Sequence, residues 1–487
     1  MENISNPKLG DKDVPLCVDL DGTLIKTDML FETFLKVLKV KPWLIFVLPF
    51  WLARGRAYLK YELAARASFD PSLLPYNQEL TEFLKSERTS GRDVLLCTAS
   101  NVSIAEAIAE HTKAFTGVLA SNDKLNLKGS AKAELLEEKF GERGFDYAGN
   151  DKADFPVWSK ARKVLVASNS PSFRKRVDES YGKVRHFELD KPKLKIYLKG
   201  IRIHQWVKNA LIFVPLVLDH QLGNTSAVLN TILAFLAFSL MASATYLVND
   251  LLDLEADRAH RTKCTRPFAS GLISPQTGLC MIFVLGLGSL VLLSFLPALF
   301  TLVAAIYLVS TMLYSFHLKT MVILDACILA GLFTIRVIGG TVVIGAEWSF
   351  WLLAFSMFLF LSLAFTKRAS ELWELKEFQG DSAAGRGYIV GDLPLIVSMG
   401  VASGYVSVMV VALYINSDKV RSMYPQPEIL WLVCPLILYW IGRIWLKTVR
   451  GEMNEDPIVF AIKDRISHIT AVLGALVVAS ASFIDNF

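Results

Sequence analysis

Two patterns of apolar and polar positions divide this chain. Through about residue 190 the apolar residues come in short runs broken by charges, as in "PLCVDLDGTLIKTD" and "DVLLCTAS". Runs of that length ending at Gly-Thr or Ser predict buried β-strands of an α/β layer. From about residue 205 the runs lengthen toward the ~20 residues that cross a bilayer. They lie near 207–218, 226–248, 275–296, 298–313, 323–343, 349–366, 394–415, 428–446 and 467–485, the first short and amphipathic. The basic stretch "HFELDKPKLKIYLKG" separates the two patterns. The predicted organisation is multidomain: an α/β domain over 1–190, a juxtamembrane linker over 191–206, and an all-α polytopic membrane bundle of about nine helices over 207–487.

Composition agrees, since 53% hydrophobic residues exceeds what an ordinary soluble protein carries. The net charge of +5 is small for 487 residues and points to no nucleic-acid partner. Cys17, Cys97, Cys264, Cys280, Cys327 and Cys434 are scattered without a CxxC pair, which argues against a disulfide frame or a zinc site. The polar start "MENISNPKLGDKDVPL" does not read as a signal peptide. Loops 249–274, 314–322, 367–393 and 447–466 hold thirteen Lys/Arg, against two in the opposite loops. The positive-inside rule therefore predicts an inner (cytoplasmic) membrane protein whose N-terminal domain faces the cytoplasm.

At the cytoplasmic end of the second long run stands "NDLLDLEAD". On a continuous helix Asn249, Asp250, Asp253 and Asp257 fall at about 0°, 100°, 40° and 80°, so one face gathers three carboxylates and an amide. Unpaired like charges repel, and hard oxygen ligands suit Mg²⁺, which commonly bridges to substrate phosphates. The plainer alternative is a solvated helix end, although acids belong at helix N-termini rather than C-termini. Tyr314, Lys319, Asp325 and Arg336 add polar groups in and beside the next apolar helices, where ionisable residues mark function by default, and Asp325 and Arg336, eleven residues apart, return to one helix face within about 20°. Arg202, Lys208, Asn209, Lys263, Arg266, Lys367, Arg368, Glu371, Asp456 and Asp464 complete the cytoplasmic-side candidates, with membrane-edge anchoring as the alternative for the basic ones.

The NDxxDxxxD stretch, the "HQWVKN" lead-in and the helix count resemble the UbiA superfamily of intramembrane prenyltransferases over roughly 195–487. That resemblance implies a helical bundle with a cytoplasmic-side cavity. There, acidic motifs hold Mg²⁺ and a diphosphate, and a polyprenyl chain lies in a groove open to lipid. It assigns Asp250, Asp253 and Asp257 to the metal. Asn249, Lys208, Lys263, Arg266, Tyr314, Lys319, Asp325, Arg336 and Lys367 would bind substrate. Aromatic prenyltransferases of this superfamily carry a second acidic motif, where this chain offers only Asp325 in "YSFHLKTMVILD". The departure is similar to the decaprenyl-phosphate phosphoribosyltransferase branch, which implies phosphoribosyl diphosphate and a polyprenyl phosphate as substrates.

In the N-terminal half, "DLDGT", "DVLLCTAS", "KGSAKAELL" and "YAGNDKADFPVW" follow in the order of the four motifs of haloacid dehalogenase-like (HAD) phosphohydrolases, which they resemble over about 12–190. The resemblance implies a Rossmann-like domain with a helical cap. Asp19 would be the nucleophile, Asp21 the acid/base, and Thr98 and Lys132 (Lys128 the runner-up) would bind phosphoryl oxygens. Mg²⁺ would be held by Asp19, Asp21, Asn150, Asp151 and Asp154. The fourth motif normally opens Gly-Asp, whereas here Gly149 is followed by Asn150.

The combined expectation is a bifunctional membrane enzyme that transfers phosphoribose to a polyprenyl phosphate and then dephosphorylates the product. Its rivals are aromatic prenylation from a prenyl diphosphate, with a regulatory or decayed HAD domain, and a non-catalytic lipid-binding scaffold. The segment "KPWLIFVLPFWLARGRAYLK" is too short to span. It reads either as an interfacial helix on the membrane or as the packed core of a cap.

Overall fold

A computed structural model describes residues 11–377, 386–453 and 456–483; the N-terminal stretch 1–10 lies outside them. Contacts divide the chain into two units. One runs through Ile203 and takes back Tyr246–Phe283; the other holds His204–Thr245 and the chain from Val284 onward. A linear break at 191–206 does not capture this exchange, because the acidic stretch 249–257 belongs to the first unit.

The first unit is built on six parallel strands: β1 (Leu16–Val18), β2 (Val94–Asn101), β3 (Gly117–Ser121), β4 (Asp146–Gly149), β5 (Val164–Ala167) and β6 (Val184–Phe187). Their order is β3-β2-β1-β4-β5-β6, with helices between them in sequence. β1, β4 and β5 are buried along their whole length, the mark of a parallel sheet covered on both faces. One apolar cluster gathers Leu16, Val18, Leu96 and Ile108, the other Cys17, Tyr147, Val166 and Trp158. Below the strands, buried Asp146 is held by Arg92 and by Arg162 Nη2 at 2.7 Å, while Arg92 Nε donates to the Val14 carbonyl at 2.8 Å. In this topology ligands sit at the carboxyl ends of the strands, where the order reverses between β1 and β4.

The insertion between β1 and β2 is helical. Met29–Val40 is capped by Asp28, whose side chain accepts from Leu30 N, and is followed by a 3₁₀ turn Pro42–Phe46 and short helices Leu48–Ala53 and Arg56–Ala64. Leu44, Trp51, Leu63 and Ala67 close a small core of their own with Val37.

Among the described residues eight helices are long and apolar enough to cross a membrane, and a shorter apolar helix, Ile203–Leu218, precedes them. The second run extends to Leu252, four residues past its predicted end, and the sixth extends through Glu377. In the second unit small residues let the helices approach closely, as expected where lipid gives no hydrophobic drive between them. A Cβ on Gly400 would lie 2.0 Å from Trp445 Cζ2, and one on Gly340 2.2 Å from the Ile212 carbonyl oxygen. The second contact involves backbone that cannot rotate aside. Gly340→Ala is expected to destabilise the protein by about 1–3 kcal/mol, read as a lower melting temperature in detergent, with an unchanged melting point counting against the close approach.

Candidate active sites

A cavity of about 700 Å³ opens at the carboxyl ends of β1 and β4. Asp19, the first residue past β1, donates its N–H to the Ala148 carbonyl at 2.9 Å. Its Oδ1 lies 2.7 Å from Lys132 Nζ, which also donates to Tyr147 Oη at 2.8 Å. Lys132 is therefore the lysine that reaches Asp19, and Lys128 lies exposed on the cavity wall. Asp21 accepts from Met29 N at 2.8 Å and from Ser100 Oγ at 2.7 Å. Burial, with Asp28 and Asp19 adding, pushes its pKa up to about 7, so it can give and take a proton near neutrality.

Other predicted residues behave differently. Thr98 is fully buried and its hydroxyl accepts from Ser100 N at 3.0 Å; Ala99 lines the cavity instead. Asp154 accepts from the backbone N–H groups of Asn150 and Asp151 at 2.9 and 3.0 Å and from Tyr147 Oη at 2.9 Å, and burial pushes its pKa up to about 6. Its oxygens brace the β4 loop. Asp151 is exposed and caps the turn Lys152–Asp154. Asn150 packs its amide over Gly22, where φ is +74° and a Cβ would meet Nδ2 at 2.1 Å. The Asp19 carboxylate and the Asn150 amide thus supply hard oxygens to one cavity, a donor set that fits Mg²⁺ with fewer charges than a pair of aspartates. Sequence reasoning missed Ser100, Asp28 and Lys60. Lys60 Nζ donates to the Ala99 carbonyl at 2.6 Å, and burial lowers its pKa. It is one of six cations between Thr33 and Tyr61, and nothing in the local spacing sets it apart from the others.

The acidic stretch sits where helix Thr225–Leu252 gives way to Leu254–Ala259, with Asp253 between them at φ −100°, ψ 13°. This break alters the geometry predicted for a continuous helix. Asp250 and Asp257 are buried and converge on Arg266, whose Nη1 lies 3.2 Å from Asp250 Oδ1 and 2.6 Å from Asp257 Oδ2; Arg202 also pairs with Asp250. Asp253 turns instead to Lys39 Nζ at 2.6 Å. Among the described residues no three acidic, His or Cys side chains converge as a metal cluster. Two carboxylates around one cation position fit the Mg²⁺ arrangement that is completed by substrate phosphates, rather than an all-protein cage. Asn249 is half-buried in the last turn of its helix, and Lys263 is exposed.

The remaining candidates lie in the second unit; most fall in three networks, while Asp464 pairs with Arg443 at 2.6 Å. Asp325, with no exposed surface, lies 2.7 Å from Arg368 Nε, an ion contact without hydrogen-bond alignment, and 3.5 Å from Arg386; it also accepts from Tyr388 Oη. Tyr314 Oη accepts from Arg368 and Arg386 at 3.2 and 3.3 Å. Lys208 and Lys367 share Asp456 at 2.8 and 3.4 Å; despite its burial they hold that carboxyl down at about 2. Arg336 donates to Asn209 Oδ1 at 2.8 Å and to Tyr307 Oη at 3.2 Å, so it does not join Asp325 despite their shared helix face. Lys319 is half-buried in the turn Leu318–Thr320. Arg386 and Tyr388 were missed because nothing in their local spacing ties them to Asp325.

Residues 213–482 match the profile of the UbiA prenyltransferase family. The chain is 40% identical over 478 residues to the uncharacterized protein y4nM of Sinorhizobium fredii, covering 96% of this chain and 91% of that protein. It is 36% identical over 281 residues to the decaprenyl-phosphate phosphoribosyltransferase of Mycolicibacterium smegmatis, covering 56% and 87%. Nodulation protein NoeC of Azorhizobium caulinodans is 33% identical, covering 57% and 90%. A solved structure, a UbiA homologue from Archaeoglobus fulgidus bound to GPP and Mg²⁺, is 16% identical with a TM-score of 0.44 and covers 58% of this chain and 99% of that chain.

Removing Asp325 leaves Arg368 buried against fewer carboxylates. Asp325→Ala is expected to cost about 3–5 kcal/mol of stability, measured by thermal unfolding in detergent; a wild-type melting curve would show that the pair is not structurally required.

Proposed function

The chain belongs to the UbiA prenyltransferase family of integral membrane transferases, and from that premise we propose that it moves 5-phosphoribose from phosphoribosyl diphosphate to a polyprenyl phosphate. The observation that carries the choice of substrate is the state of Asp325. The one acid at the place of a second acidic motif is already neutralised by Arg368 and Arg386, with Tyr314 bonded to both. Such surroundings favour phosphate and ribose hydroxyls over a second metal. The similarity to decaprenyl-phosphate phosphoribosyltransferases supports the same reading.

In the transfer, the bond from ribose C1 to the diphosphate breaks and a bond from C1 to a lipid phosphate oxygen forms. Asp250 and Asp257 would hold the Mg²⁺ that neutralises the departing diphosphate, and Arg266 and Arg202, ion-paired to them, supply further positive charge beside it. Asn249 and Lys263 beside the acidic stretch and, separately, Lys208, Lys319, Arg336 and Lys367 of the second unit are proposed to contact phosphorylated substrate. The basic loops support a cytoplasmic face for this site and for the N-terminal domain.

The N-terminal domain is proposed to be an HAD-like phosphatase acting on the lipid-linked product. Asp19 attacks the 5-phosphate, giving an aspartyl phosphate, while Asp21 protonates the departing 5-hydroxyl. Asp21 then takes a proton from the water that releases phosphate. Lys132 holds Asp19 in its attacking orientation and offsets phosphoryl charge. Mg²⁺ bound at either site supplies neutralisation of phosphate oxygens.

The discriminating experiment incubates purified protein and Mg²⁺ with phosphoribosyl diphosphate plus polyprenyl phosphate, or with a prenyl diphosphate plus an aromatic acid, and identifies the lipid products by mass spectrometry. Only the first pair is expected to react; reaction of only the second would replace phosphoribosyl transfer by aromatic prenylation. Asp250→Asn and Asp257→Asn should each lower transfer by about 10²–10³-fold, whereas Asp253→Asn, remote from the Arg266 pair, should lower it by about tenfold or less. A larger loss for Asp253 would restore the three-carboxylate grip. Asp19→Asn should leave transfer intact and accumulate the 5-phosphorylated lipid; phosphate release at the wild-type rate would remove Asp19 as nucleophile.

A further inference from the structure

The helical insertion carries an apolar surface that its own small core does not use. Leu44 and Trp51 face inward, and Arg66 stacks over the Trp51 ring at 4.9 Å. Trp43, Phe46 and Phe50 point outward and are 60%, 76% and 72% exposed, with Val40, Ile45 and Leu52 exposed beside them. A contiguous patch of this kind marks an interaction surface. Its charge says which kind. From Thr33 to Tyr61 the chain holds six cations, Lys36, Lys39, Lys41, Arg54, Arg56 and Lys60, and no acid. Lys36 and Lys39 are paired with Glu255 and Asp253 and Lys60 turns to the Ala99 carbonyl, which leaves Lys41, Arg54 and Arg56 exposed beside the outward aromatics. Aromatics with exposed cations next to them match the interfacial zone of an anionic bilayer.

The cavity supplies an independent pointer to the same surface. Leu52 and Arg56 line the Asp19 cavity together with Ser274, Gln276 and Thr277. The last two lie in the first turn of Pro275–Leu293, a helix long and apolar enough to cross a membrane. Gln276 Nε2 donates to Asp28 Oδ2 at 2.8 Å, so that turn is bonded to the cap of the helix that starts the insertion. The wall of the cavity is thus built partly from the edge of a membrane span and partly from the root of the apolar patch.

We propose that Val40–Leu52 is a bilayer-docking lip, seated in the interfacial zone of an anionic membrane, and that it brings lipid-linked phosphomonoesters to Asp19 without their leaving the bilayer. The delivery half of this statement rests on the phosphatase reading above; the docking half does not. The partner is the lipid surface, and a second copy of the chain or another protein would be a different occupant of the same patch.

The test uses the full chain in nanodiscs of phosphatidylcholine and phosphatidylglycerol. An environment-sensitive fluorescent amino acid replaces Phe46 or, as a control, Lys175, whose side chain is 78% exposed on helix Pro171–Tyr181. Emission from position 46 should be quenched by lipids carrying a shallow doxyl group, and emission from position 175 should not. An unquenched position 46, as a protein-covered or water-facing patch would give, overturns docking. In the same discs, the double variant Phe46→Ser/Phe50→Ser should hydrolyse a polyprenyl-linked phosphomonoester about tenfold more slowly while hydrolysis of soluble p-nitrophenyl phosphate stays within about twofold. Equal loss on both substrates, or no loss on either, overturns delivery. If the wild-type protein hydrolyses neither substrate, delivery falls with the phosphatase reading while the quenching result stands on its own.

Discussion

A carboxylate at the edge of an apolar bundle cannot stay ionised without a cation beside it, because desolvation outweighs what stray dipoles return. That requirement organises the polar part of this chain. Asp250 is held by Arg202 and Arg266, Asp257 by Arg266, Asp325 by Arg368 and Arg386, and Asp456 by Lys208 and Lys367. In the α/β domain Asp19 is held by Lys132 by the same logic. The cations do more than neutralise. They fix the carboxylate orientations.

One helix makes this constraint structural rather than local. Met29–Val40 begins at Asp28, and its first N–H donates to Asp21 in the cavity at the strand ends. Farther along, Glu32 pairs with Arg258, Lys36 with Glu255 and Lys39 with Asp253, all on the acidic stretch and its continuation. A helix of 12 residues is about 18 Å long, so a single element touches Asp21 at the strand ends and Asp253 of the acidic stretch. This is why contacts group Tyr246–Phe283 with the N-terminal sheet although sequence places it inside the membrane half.

The membrane spans were legible because twenty consecutive apolar residues have few other destinations. The strand-end carboxylates were legible because a parallel sheet puts its chemistry at the carboxyl ends of buried, uninterrupted strands. What escaped were properties of partners distant in sequence. Angular spacing gathered Asp250, Asp253 and Asp257 on one face, yet it could not register that Lys39, more than two hundred residues earlier, turns Asp253 aside. It likewise aligned Asp325 with Arg336, whereas each found a closer partner on another helix. Thr98 occupies the expected strand position, but its hydroxyl is spent on Ser100 N, and Ser100 carries the contact to Asp21. Periodicity reports which face a side chain is on; the pairing within that face is decided by the rest of the fold.

The proposed pairing of two reactions also has a thermodynamic argument. Exchange of diphosphate for a lipid phosphate at ribose C1 replaces one phosphoryl leaving group by another, and diphosphate can attack in return. The 5-phosphate passes through that exchange untouched, so the product still carries the group by which phosphoribosyl diphosphate is recognised. Hydrolysis of the phosphomonoester removes that group and releases inorganic phosphate, which the first centre has no means of reattaching. On the proposed reading, a phosphatase in the same chain would drain the reversible step at its source. The cavity wall drawn from the terminus of Pro275–Leu293 is compatible with such a drain working on a lipid-bound intermediate.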